Sequence, residues 1–115
     1  MGIQQLSEET LLVCLPNDSL STEDLEAVVD IVGLNATIDV IVDFSAVEVM
    51  PSPMLSELMI LEKKLGNAGR QLILCSVPPT ILKLFTCVGL NGLFTFSDDQ
   101  FSALELIHSN RCYFQ

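Results

Sequence analysis

Ser52 stands between Pro51 and Pro53, where an apolar-striped segment opens shortly after an apolar run that ends in Asp43. The full stretch is Ile38-Asp-Val-Ile-Val-Asp-Phe-Ser-Ala-Val-Glu-Val-Met-Pro-Ser-Pro-Met-Leu. It places a hydroxyl at a helix opening just beyond a strand, the end of an open α/β sheet where working residues are usually displayed. Unpaired backbone N–H groups and a partial positive charge gather at a helix N-terminus, so a phosphate carried by Ser52 would be stabilised there. The same residues also have a plain structural use. Ser is a good N-cap and Pro suits the first helical position, and taken alone that role accounts for both.

Other reactive types offer less. Cys14, Cys75, Cys87 and Cys112 form no Cys-x-x-Cys pair, and His108 is the single histidine, so neither a metal site nor a cofactor is expected. Cys14 and Cys75 are expected to serve as small strand hydrophobes in a reducing, cytoplasmic setting. No serine or cysteine has a base partner in view, no Gly-rich phosphate loop follows a strand, and His108 lies in a polar stretch; an enzyme is not expected. Asp43 at a strand end raises the alternative of a receiver-like aspartyl-phosphate domain. That chemistry needs magnesium held by an acidic pair after the first strand and a lysine after a later one. Here the first strand runs into Leu15-Pro-Asn-Asp, and Leu93 to Asp99 holds no lysine. Asp43 is instead expected to accept backbone N–H groups of the turn that follows it.

Fifteen acidic residues against five basic ones give a net charge of −10, which disfavours nucleic acid and anionic membranes and favours a protein partner with a basic face. No apolar run is long enough to span a bilayer. The 115 residues suffice for one domain, 1–115, with a core over about 10–107. Met1-Gly2 resembles a cloning remnant, and the terminal Tyr-Phe-Gln resembles the end of a cleavage tag.

The elements that must position Ser52 follow from periodicity. Ile3 to Leu6 and Thr10 to Leu15 form a hairpin. Leu25, Val28, Val29 and Val32 make one helical stripe, capped by Ser21 and stopped at Gly33-Leu34. Thr37 to Phe44 alternates as a strand, with Ile38, Val40, Val42 and Phe44 on one face and Asp39, Ile41 and Asp43 on the other. A second helix runs from about Pro53 to Leu65 with Leu55, Leu58, Leu61 and Leu65 inward, ending at Asn67-Ala-Gly. Arg70 to Val77 holds Leu72, Ile73, Leu74 and Cys75 in sequence, a strand buried on both faces. Pro78-Pro79 opens a third helix carrying Ile81, Leu84, Phe85 and Val88; Leu93 to Phe96 is a last strand; Ser97 and Gln100 form a capping box for a final helix. Strands alternating with helices predict a small α/β fold: a sheet of four to five mostly parallel strands with an N-terminal hairpin and about four helices packed mainly on one face.

Three segments in this order, Val42-Asp-Phe-Ser-Ala-Val-Glu-Val, the opening at Ser52, and Gly89-Leu-Asn-Gly-Leu-Phe-Thr-Phe, resemble the STAS domain of anti-sigma factor antagonists and sulfate-transporter tails, over roughly Thr10 to Ile107. The resemblance implies a non-enzymatic regulatory module whose partner is an anti-sigma factor that is also a serine kinase, with Ser52 as phosphoacceptor. It also implies departures from the family's Asp-Ser-Ser/Thr-Gly opening: Pro51 replaces the aspartate, Pro53 the second hydroxyl residue and Met54 the glycine. Asp43, Met50, Pro51, Pro53 and Met54 are expected to shape the partner-binding loop, with Met50 and Met54 at its surface and Met59 in the core. Ser56, one turn on, is expected to be less accessible. The alternative is a constitutive adaptor subunit of a transport or signalling complex, without phosphorylation. Oligomeric state stays open, with an exposed edge strand as one route to self-pairing.

Overall fold

Alternation places the strands, and strand order then decides where the helices go. A computed structural model describes residues 3–7, 9–15, 23–34, 38–48, 52–90 and 92–113. The elements are β1 (Ile3–Ser7), β2 (Thr10–Cys14), α1 (Glu23–Leu34), β3 (Asp39–Asp43), α2 (Ser52–Asn67), β4 (Leu72–Cys75), α3 (Pro79–Cys87), β5 (Thr95–Ser97) and α4 (Gln100–Tyr113). The five strands form one sheet in the order β1-β2-β3-β4-β5. β1 and β2 pair antiparallel, and every later pair is parallel.

A sheet that grows in one direction through right-handed crossovers must put every crossover helix on the same face. That is what the packing shows. Leu25, Val28 and Val32 of α1, Leu58, Leu61 and Leu65 of α2, and Ile81 and Phe85 of α3 join one core with Val13, Val40, Val42, Leu72 and Leu74. The opposite face falls to the helix that is not a crossover: Ala103 and Ile107 of α4 pack on Leu12, Ile41, Ile73 and Cys75. Among the described residues the sheet is therefore covered on both sides, with three helices on one face and one on the other. All of β3 and β4 is buried as a result. Phe85 ties α3 to the far edge, with its ring centroid 5.4 Å from Phe94 and 5.6 Å from Phe96. No described helix is long and apolar enough to cross a membrane.

Two helices stop as their sequences imply. At the end of α2, Gly69 takes φ 73° and the Arg70 N–H donates to the Leu65 carbonyl at 2.8 Å. At the end of α3, Gly89 takes φ 78° and the Leu90 N–H donates to the Phe85 carbonyl at 2.8 Å. Both are Schellman closures. The expected stop at Gly33 is different: α1 continues through Leu34, and Gly33 lies inside it without a positive φ. Ser21, the expected cap of α1, lies outside the described residues. Leu84 of α3 and Val88 just after it are exposed and only Ile81 and Phe85 face inward, because the helix presents a single narrow edge to the sheet.

These conformations separate two glycine substitutions. Gly69→Ala should destabilise the fold by about 1–2 kcal/mol, the cost of a left-handed L-residue. Gly33→Ala should stabilise it by about 0.5–1 kcal/mol, since its helical position has open space around an added Cβ. Urea unfolding of the two variants checks both signs.

Candidate functional site

At the C-terminal edge of the parallel sheet, register aligns Cys14, Asp43, Cys75 and Ser97 in one row across β2, β3, β4 and β5. Asp43 is the charged member and is only 6% exposed. A carboxylate in such a place needs donors for both oxygens. The Ser45 N–H donates to its Oδ1 at 2.7 Å, the turn bond expected for this residue. Gln100 Nε2 donates to its Oδ2. The same amide nitrogen lies 3.8 Å from Cys14 Sγ. A single glutamine thus joins the start of α4 to the ends of β2 and β3.

Gln100 is the contact at this edge that periodicity missed. It was expected in a capping box with Ser97, and that box does not form. Asp99 caps α4 instead: the Ser102 N–H donates to Asp99 Oδ1 at 2.8 Å, and the Ala103 N–H donates to the Asp99 carbonyl at 3.0 Å. The backbone bond from Ser102 holds the Asp99 carboxyl below the usual carboxylate range. Ser97 Oγ donates to the Asp99 carbonyl at 3.1 Å. With the cap supplied by Asp99, the amide of Gln100 is available to Asp43. The usable signal was Asp43 itself, a buried acid with one local donor and an unmet oxygen facing the last helix.

Burial, with the nearby Asp43 carboxylate adding to it, pushes the Cys75 thiol up to about 12. The same causes in the same order raise Cys14. Cys75 is buried and Cys14 half-buried, so two thiols flank the Asp43 carboxylate in this row. Among the described residues no cluster of three His, Cys, Asp or Glu could hold a metal ion. Asp43, with both oxygens already bonded, is also poorly placed to receive a phosphoryl group. His108 is exposed on α4.

From this edge the chain turns into the loop toward Ser52. The Phe44 N–H donates to the Cys75 carbonyl at 3.0 Å and the Val47 N–H to the Phe44 carbonyl at 2.9 Å. Phe44 and Val47 are buried, whereas Ser45, Ala46 and Glu48 are exposed. Ser52 is the first residue of α2, whose first turn carries no acidic side chain and whose last turn carries Lys64. Pro53 is exposed beside it; Met50 and Pro51 lie outside the described residues.

Met54 corrects the expectation of a surface residue, for it is 0% exposed and sits in the main core. The inward stripe of α2 is Met54, Leu58, Leu61 and Leu65, with Leu55 at its margin. Met59 falls off that stripe and is 41% exposed, so it does not fill the core as expected. Ser56 is likewise exposed. Because the Met54 side chain points inward, its bulk does not stand in the way of a partner approaching the helix opening.

The STAS domain family model matches residues 7–103 of this chain. Among solved structures, a variant of RsbS from Moorella thermoacetica is similar at TM-score 0.80 and 17% identity, covering 95% of this chain and 95% of that one. The anti-sigma factor antagonist SpoIIAA, a Bacillus cell fate determinant, is similar in its unphosphorylated form at TM-score 0.75 and 17% identity, covering 93% of this chain and 95% of that one. A structure of the stressosome, a signal integration and transduction hub, matches at TM-score 0.75 and 17% identity, covering 95% of this chain and 97% of that one. A search of curated proteins found no sequence match.

Two measurements check this geometry. Met54→Ala should cost about 2–5 kcal/mol of stability and Met59→Ala less than about 0.5 kcal/mol. A water-soluble maleimide at neutral pH should label exposed Cys87 well before Cys14 or Cys75, as read by peptide mass mapping.

Proposed function

The chain belongs to the STAS domain family, and from that premise we propose that it is a non-enzymatic regulatory module that binds a protein partner at the opening of α2. Phosphorylation of Ser52 switches that contact. The observation that carries the reading is the position of Ser52 as the first residue of α2, one loop beyond the end of β3, in a first turn without an acidic side chain. Ser45, Ala46 and Glu48 after β3, with Pro53 and Ser56 in α2, are exposed and supply side chains for a contact surface. The loop leaves a firmly bonded strand end, so the surface is presented from a rigid base.

A phosphate on Ser52 would add about 1.5–2 negative charges next to the positive end of the helix. Its effect on the fold is mild or favourable, because the helix dipole and free N–H groups receive it. Its effect on a docked partner is repulsive where that partner presents acidic groups or packs closely against the opening. The partner class is an anti-sigma factor with serine kinase activity. Pro51 and Pro53 beside the serine favour a second reading, a constitutive adaptor whose helix opening is stiffened and never modified.

Ser52→Ala should keep fold and partner binding, and Ser52→Asp should keep the fold but weaken binding in a pull-down with the cognate kinase. Equal binding by both variants would reject the switch. Intact mass of the protein purified from its native cells decides between the readings: a phosphate on Ser52 supports the switch, and an unmodified serine across growth and stress conditions supports the adaptor.

A further inference from the structure

We propose that the free edge of β5 is a second docking surface, which takes an extended basic segment of a partner protein as an added strand. β5 ends the strand order, so its outer side has no neighbouring strand among the described residues. In a parallel ladder, alternate residues direct both backbone groups to the same side. The Ser97 carbonyl is used on the β4 side, where it accepts the Ser76 N–H at 3.3 Å. The alternation therefore turns the N–H and carbonyl of Phe96 outward, as strand addition requires.

Strand addition also needs room for side chains that alternate between the two faces of the sheet. A cleft flanks the β5 edge on each face. On the α4 side, a cleft of about 440 Å³ is lined by Ser97, Asp98, Ser102, Glu105, Leu106 and Ser109. On the α3 side, a cleft of about 190 Å³ is lined by Ser76, Val77, Leu82 and Asp98. Phe96 borders both. Successive side chains of an added strand would enter the two clefts in turn.

Charge selects the occupant. The charged residues that line these clefts are Asp98 and Glu105, with no lysine or arginine among the lining residues. A second copy would bring a net charge of −10 to an acidic edge, whereas a basic segment is attracted to it. The other end of the sheet is less suited, since the β1 register is irregular between Gln5 and Ser7, a distortion that blunts an edge. The β5 surface is separate from the α2 opening, two strands away in the sheet order, and stands independently of the Ser52 switch.

The test titrates the ¹⁵N-labelled full chain with a short capped peptide of alternating lysine and valine, and with its glutamate–valine counterpart. The lysine peptide should shift resonances of β5 and the neighbouring face of α4, and slow hydrogen exchange of the Phe96 amide. Asp98→Lys combined with Glu105→Lys should weaken binding by about tenfold or more while circular dichroism stays unchanged. Equal response to both peptides, shifts centred on the α2 opening, or no saturable shift at millimolar peptide would overturn the proposal. Shifts at β5 that grow with protein concentration alone would overturn it in favour of self-pairing.

Discussion

Two carboxylates sit at the ends of β3, a strand buried on both faces, and the structure around it is arranged to satisfy them. Asp39 and Asp43 are 1% and 6% exposed. A buried charge without donors would cost several kcal/mol, so each must draw polar groups from other elements. Asp39 takes the Gln71 N–H at 2.9 Å and Arg70 at 3.1 Å, which fixes the entry to β4. Arg70 also reaches Glu9 at 3.4 Å, tying in the turn before β2. Asp43 takes Ser45 and Gln100, which fixes the exit from β3 and the first turn of α4. The two acids lie on the face covered by α4 and bracket Ile41, so they set both the register of the neighbouring strand and the seat of the last helix.

This arrangement separates the display surface from the core. The loop toward α2 starts from a strand end whose carboxylate is fully engaged, and Phe44 and Val47 anchor its first residues. Met54 secures the first turn of α2 from beneath. With both Asp43 oxygens engaged beneath it, charge added at the outer side of that opening would act on an incoming partner and not on that carboxylate. Such a division suits the proposed switch, in which the fold would have to persist with and without a phosphate on Ser52.

Much of this was legible in the chain. The alternation of Ile38, Val40, Val42 and Phe44 against Asp39, Ile41 and Asp43 assigned both faces of β3, and Gly69 and Gly89 marked two helix ends through their backbone requirement. The failures came from side chains whose partners are distant in sequence. Gln100 looked like a local cap because its spacing from Ser97 fits one, and only the fold brings it to Asp43, 57 residues away. Met54 and Met59 were exchanged because the apolar stripe of α2 was phased on Leu55, and a shift of one residue turns a helical face by about 100°. Gly33 resembled a stop by its neighbour Leu34, but a glycine can sit in a helix when nothing requires it to leave.

The one-way strand order has a consequence for the chain as it is made. Every strand pairs with the strand that precedes it in sequence, so each pairing closes a short loop and none waits for a later segment. The sheet can grow in step with synthesis, each crossover helix covering the same side as it arrives. The other side has no such running cover. Leu12, Ile41 and Ile73 stay bare until residues 100–113 emerge and dock, which makes the last helix the seal of a nascent molecule that otherwise offers an apolar sheet to its neighbours.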